Sequence, residues 1–326
     1  MRTIDIHTHG IGGYDTKGAT PQDILGIAEI HGSHGVDSII PTVYAASIEQ
    51  MRADMAVVRE AMKRQGPGVR DQGSGTEERK GRREKREEGS KGTPGQDADD
   101  PAHANCDRRP ATILGVNLEG PFLNPVWAGA LDKSSFVPAK ISSCKRLTEG
   151  FGDVIRIMTV APELEGATDL IRAITQAGII VSMGHSDATY AQAQAGFNAG
   201  AKGITHVFNA MRGIHHREPG IVGFGLMNPD IWVEVIADPF HLHAKTIELI
   251  FEMKDPARVI IVSDSAKATK AHSAAQSVTD PSGRLLGGSM TIVESSQHLI
   301  RLGFNEDVVQ RSISANPEEY LTMGDR

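Results

Sequence analysis

The sequence predicts a (β/α)8 barrel, and three observations predict it. Eight short runs rich in Val and Ile recur along the 326 residues. Between them lie stretches with apolar residues at three- and four-residue spacing, several closing on a glycine that can cap a helix. Imidazole and carboxylate side chains gather where the runs end, while the run interiors stay apolar. Continuous apolar strands alternating with helices read as a parallel sheet covered by helices. Eight such units with a usual size of ~250 residues make a closed barrel. An open doubly wound sheet would instead need a Gly-rich phosphate turn after a strand, and "HGIGGY" at residues 9–14 lacks that spacing.

The strands are expected at Thr3 to His7, Asp37 to Thr42, Thr112 to Leu118 and Val154 to Val160, then at Gly178 to Met183, Gly203 to Val207, Trp232 to Ala237 and Arg258 to Ser263. Helical patterns lie between them, as in "PQDILGIAEIHGSHG", "ATDLIRAITQAG" and "TYAQAQAGFNAG". One stretch departs from this alternation. From Gln65 to Pro110 the only large aliphatic residue is Val69, there is no aromatic, and ten Lys or Arg balance ten Asp or Glu. Such a segment cannot bury enough apolar surface to offset its chain entropy. It is expected to be a disordered, charged insert at 65–110 within a single barrel domain spanning 1–326. Its run "RKGRREKRE" reads first as a solvated mixed-charge loop rather than a nucleic-acid tail.

Because the insert is neutral, the rest of the chain carries the whole formal charge of −7. That balance argues against a protein built to hold nucleic acid. No apolar run approaches the ~18 to 20 residues of a spanning helix, and no basic-then-apolar leader is readable, so no membrane association is expected. Cys106 and Cys144 are the only cysteines, giving neither a disulfide framework nor a thiolate metal site. A cytoplasmic location is the expectation.

In a barrel of this kind chemistry sits at the C-terminal ends of the strands. Strand one ends at His7 and His9, strand three runs into Glu119, strand five ends at His185, strand six carries His206, and strand eight ends at Asp264. Any one of them could serve the fold alone: a histidine bonded within the core, Glu119 before a helix, Asp264 as a helix cap. Their joint recurrence at one end of the barrel is the pattern of a metal site. His7 and His9 lie two apart, so both rings share one face of the strand and can share a cation. Imidazole with carboxylate and no thiolate suits Zn²⁺, Fe²⁺, Mn²⁺ or Co²⁺, as one ion or two. A cation of this class lowers the pKa of a water and polarises a carbonyl. Asp264 is then the candidate proton shuttle between that water and a leaving nitrogen.

The motifs "DIHTHG", "LEGPF", "GHSDATY", "THVFNAM", "REPGIVG" and "VSDS" follow one another in the order and approximate spacing of a known family. By them the chain resembles the N-acetylglucosamine-6-phosphate deacetylases of the amidohydrolase superfamily, over most of its length outside the insert. The resemblance implies that Glu119, His185 and His206 are metal ligands, that His7 and His9 are the pair kept by members with a second metal, and that Asp264 is the catalytic carboxylate. It implies further that Asn209, Ala210, Arg217 and His241 contact the sugar phosphate, with the arginine able to reach across a homodimer interface. The implied reaction removes acetate from N-acetyl-D-glucosamine 6-phosphate. Three departures stand out. Leu131 occupies the place of a histidine that assists substrate binding, Pro239 follows Asp238 where the family has glycine, and the small β-sandwich domain of the family has no counterpart in these residues. The same ligand set also serves metal phosphoesterases, including barrel nucleases. With Leu131 in the polarising position, a barrel that binds a sugar phosphate without cleaving it is the third reading.

Overall fold

The computed structural model describes residues 1–66, 109–270 and 276–325. The expected insert therefore lies outside the described residues except at its two ends. Among the described residues, eight strands form the parallel barrel: β1 Ile4–Thr8, β2 Ser38–Tyr44, β3 Val116–Glu119, β4 Ile155–Val160, β5 Ile180–Met183, β6 Gly203–Ile204, β7 Trp232–Ile236 and β8 Val259–Val262. They pair in chain order. The ring closes beyond the ends of β8 and β1, where Asp264 N donates to His7 O at 2.9 Å and His9 N to Ser265 O at 2.8 Å.

All eight expected strands are present, with two differences in extent. The third is interrupted: Thr112–Ile113 pairs with the start of β2, and β3 resumes at Val116. Gly115 causes the break, for its φ is 149° and a Cβ there would lie 2.5 Å from the Val154 carbonyl oxygen. The sixth ends at Ile204, because His206 turns to a φ of 30° and leaves the ladder.

The helices are α1 Pro21–Ser33, α2 Ile48–Gln65, α3 Ile141–Thr148, α4 Ala167–Gln176, α5 Tyr190–Asn198, α6 Gly220–Met227 and α7 Ala244–Met253, followed by α8 Ile292–Arg301, α9 Glu306–Ile313 and α10 Ala315–Leu321. Thr20 with Asp23, Thr189 with Gln192 and Thr291 with Glu294 form capping boxes that set where α1, α5 and α8 begin. No helix among the described residues is long and apolar enough to cross a membrane. Gln65, at the end of α2, holds the neighbouring chain ends together. Its amide donates to Ala111 O at 2.7 Å and accepts from Ile113 N at 3.0 Å.

Two apolar layers follow from strand alternation. Outward residues such as Val233 and Val235 pack under the helices. Inward residues Ile4, Ile6, Ile40, Ile157, Ile180, Trp232, Ile236, Ile260 and Val262 fill the barrel, and Tyr320 and Leu321 of α10 join them. The rings of Tyr320 and Trp232 stand 5.6 Å apart between centroids, and both residues are buried. Tyr320→Ala is expected to destabilise the fold by roughly 3–5 kcal/mol, as a fully buried aromatic lost to a cavity does. A denaturant midpoint unchanged from wild type would show that α10 is not part of the cooperative core.

Candidate metal centre

Four imidazoles converge on one carboxylate at the C-terminal end of the barrel. Glu119, the last residue of β3, has Oε1 at 2.9 Å from His185 Nε2, 3.0 Å from His206 Nε2 and 3.6 Å from His7 Nε2. Its Oε2 lies 3.2 Å from His9 Nε2. Asp264 Oδ1 stands 3.5 Å from Nε2 of both His7 and His9. The six side chains named from the sequence are thus brought together, and all but Asp264 are buried.

A β-bulge places the first two. The β1–β2 pairing runs Ile4↔Ser38 and Asp5↔Ile39, then Thr8↔Pro41, so β1 gains one residue. Ile4 and Ile6 face the barrel interior before that point, whereas after it His7 and His9 do. Thr8 is turned outward instead, to His31 of α1, its Oγ1 3.1 Å from His31 Nε2. Regular alternation would have done the reverse; the bulge re-aims the pair into the site. Asp5 supports the bulge by accepting from His7 N at 3.2 Å and Ser263 N at 3.3 Å, and burial pushes its carboxyl up to about 6.

Backbone strain marks the same place. Among the described residues the non-glycine positions with positive φ are His185 at 47°, His206 at 30°, Phe208 at 74°, Ala210 at 49° and Asp264 at 46°. Left-handed conformations cost L-residues energy and persist where the surroundings over-determine them. At Asp264 the surroundings include Gly288, whose N–H donates to Asp264 O at 2.6 Å. A Cβ on Gly288 would fall 1.9 Å from Ser263 O, so only glycine allows that approach.

Three of the rings are held from behind. His7 Nδ1 lies 3.1 Å from Glu234 Oε2, His9 Nδ1 3.0 Å from Thr42 O, and His185 Nδ1 2.9 Å from Trp127 O. An acceptor at Nδ1 draws the ring proton there and leaves the Nε2 lone pair facing inward. His7 Nε2 is buried with no hydrogen-bond partner among the described residues. Inward-facing nitrogen lone pairs around carboxylate oxygens repel one another unless a cation lies between them. The donor set therefore fits a divalent metal, with His7, His9 and Asp264 as one group and His7, Glu119 and His206 as another, each having its ligand atoms within 4.8 Å.

Above the cluster opens a cavity of about 370 Å³, near the lower end for small-molecule sites. Asn209, Ala210 and His241 line it, as does Leu131. Asp238 organises one wall: its Oδ1 accepts from Phe240 N at 2.9 Å and His241 N at 2.8 Å, and its Oδ2 lies 3.0 Å from His241 Nδ1. Burial alone would raise the Asp238 carboxyl, but the His241 bonds hold it down to about 2. His243, two residues on, caps α7 by accepting from Lys245 N at 3.1 Å. Arg217 is not brought to the cavity: it is exposed, its Nη1 3.0 Å from His216 Nε2.

Glu234 is the residue that sequence reasoning passed over. It sits on β7 at an inward position between Trp232 and Ile236, buried, with Oε2 on His7. The signal was present in "WVEVI", where a carboxylate interrupts the inward phase of an apolar strand.

Comparison with known proteins gives three findings. No protein-family model matches the chain. The chain is 31% identical over 265 residues to an N-acetylgalactosamine-6-phosphate deacetylase of Escherichia coli O157:H7, covering 81% of this chain and 59% of that protein. It is 31% identical over 266 residues to the N-acetylglucosamine-6-phosphate deacetylase of Vibrio furnissii, covering 82% and 56%. It therefore spans less than two thirds of the length of the curated relatives it matches. In fold it is similar to a mutant N-acetyl-D-glucosamine-6-phosphate deacetylase from Mycobacterium smegmatis, solved in complex with N-acetyl-D-glucosamine-6-phosphate, with a TM-score of 0.78, 23% identity, and coverage of 98% of this chain and 77% of that one.

Proposed function

The chain belongs to the amidohydrolase family as a relative of the N-acetylglucosamine-6-phosphate deacetylases, and from that premise we propose that it hydrolyses the acetamide of N-acetyl-D-glucosamine 6-phosphate to acetate and D-glucosamine 6-phosphate. One observation carries the reading: the Glu119 carboxylate ringed by four imidazoles, with Asp264 beside it, at the base of a cavity sized for a small molecule. His7, His9, Glu119, His185 and His206 would hold one or two divalent ions, of which Zn²⁺ suits an imidazole-rich set with carboxylate. A cation held there supplies Lewis acidity to the amide carbonyl and acidifies a water.

The chain's own residues do the rest. Asp264 has 15% of its side chain exposed, against 4% or less for the other five, so it is the most open of the six to the cavity. It takes the proton of the attacking water and delivers it to the amide nitrogen as the C–N bond breaks. The cavity above the cluster then receives the sugar, with Asn209, Ala210 and His241 at its walls. Burial opposes a charge on His241, but the Asp238 carboxylate raises its pKa, which favours the charged form beside an anionic group. Arg217 enters this scheme only from a second copy of the chain, consistent with a homodimer.

Acetate release from N-acetylglucosamine 6-phosphate by metal-reconstituted protein, run beside unphosphorylated N-acetylglucosamine, tests the proposal. Turnover is expected to require the phosphate and to vanish on chelation, together with a lower melting temperature as the bound ion's stabilisation is lost. Absence of acetate from both sugars, with metal bound, would overturn it. Preference for the galacto epimer over the gluco sugar would keep the reaction and correct the substrate.

A further inference from the structure

The cavity above the metal centre carries a cation with no role so far. Among its described lining residues Arg284 is the only arginine or lysine. It lies in the turn of an antiparallel hairpin, Val278–Thr279 paired with Leu285–Gly287, which returns over the end of β8. Two contacts fix the guanidinium: Nε lies 3.1 Å from Asp280 Oδ2, and Nη1 donates to Gly129 O at 3.0 Å. Gly129 in turn is packed onto the site. A Cβ there would lie 3.2 Å from the Ala210 Cβ and 3.6 Å from His185 Cε1.

The contact sequence Arg284, Gly129, Ala210 therefore sets the guanidinium beside the wall formed by "FNAM". A phosphate dianion in the cavity is repelled by Glu119 and Asp264 and attracted to the Arg284 guanidinium on its wall. Nη2 of Arg284 has no protein acceptor among the described residues, and a guanidinium edge is the side-chain geometry best matched to phosphate oxygens. Arg217 of the same chain is outside the cavity.

We propose that Arg284 determines specificity for the anionic end of the substrate, holding the sugar phosphate from within the same chain. The inference rests on the deacetylase reading above, and the hairpin is then the element that brings a guanidinium of the same chain to the cavity.

Wild type, Arg284→Gln, Arg284→Lys and Arg217→Gln, all metal-loaded, would be assayed for acetate release from N-acetylglucosamine 6-phosphate and from N-acetylglucosamine. Arg284→Gln is expected to raise KM for the phosphorylated sugar about 10- to 100-fold more than for the other, the range of a hydrogen bond to a charged group. Arg284→Lys should recover part of that loss. An equal rise for both sugars, no rise, or discrimination carried by Arg217 alone would overturn the proposal. Should wild type release acetate from neither sugar, the deacetylase reading falls and Arg284 is judged by calorimetric binding of glucosamine 6-phosphate to the same proteins. Binding at least about tenfold weaker in Arg284→Gln supports the assignment on that arm; equal binding, or none by wild type, overturns it.

Discussion

Replacing Asp264 with Asn is expected to leave the metal content near that of wild type while cutting acetate release by about 10²- to 10⁴-fold, the usual contribution of a positioned acid–base group. The substitution keeps the shape and one oxygen but removes the ability to take and return a proton. The four imidazoles and Glu119, the proposed ligands, stay in place, and the backbone of Asp264 remains pinned between His7 O and Gly288 N. Metal analysis beside steady-state rates separates the two effects. Turnover within a few-fold of wild type would remove Asp264 from the mechanism; loss of the metal would make it a ligand before anything else.

Removing the carboxylate behind His7 should act on the metal first. With Glu234→Leu the acceptor that holds the His7 Nδ1 proton is gone, and metal affinity is expected to fall about 10- to 100-fold, as when an outer partner of a ligating histidine is deleted. Glu234→Gln keeps an acceptor oxygen within reach and should fall between. Competition titration against a coloured chelator reads this without any assay of turnover. Unchanged affinity in the Leu variant would reduce Glu234 to a space-filling residue of β7.

Much of the barrel could be read directly, because each strand is a local apolar run and each helix carries its own spacing and caps. The clustering of His7, His9, Glu119, His185, His206 and Asp264 was legible for a related reason: in a closed barrel the strand ends converge, so residues far apart in sequence meet. What could not be read depends on partners elsewhere. The interruption of the third strand at Gly115 answers to the Val154 carbonyl on the neighbouring strand. Glu234 looks like any strand carboxylate until His7 lies opposite it. Arg284 belongs to a hairpin whose place over the cavity is set by a clasp on Gly129, more than a hundred and fifty residues earlier in the chain. Arg217, chosen by motif, faces solvent in the single chain.

The extra residue in β1 makes the site a question of parity. Even-numbered positions Ile4 and Ile6 belong to the barrel's floor, odd-numbered His7 and His9 to its reactive rim, and the change of phase happens within one peptide unit. Floor and rim are thereby decoupled: side chains that seal the base can drift in size and shape without rotating the imidazoles above them. A one-residue deletion at that junction has the opposite character. It would swing both imidazoles toward the helical layer and bring Thr8 inside, dispersing the cluster while every one of its residues remained in the sequence.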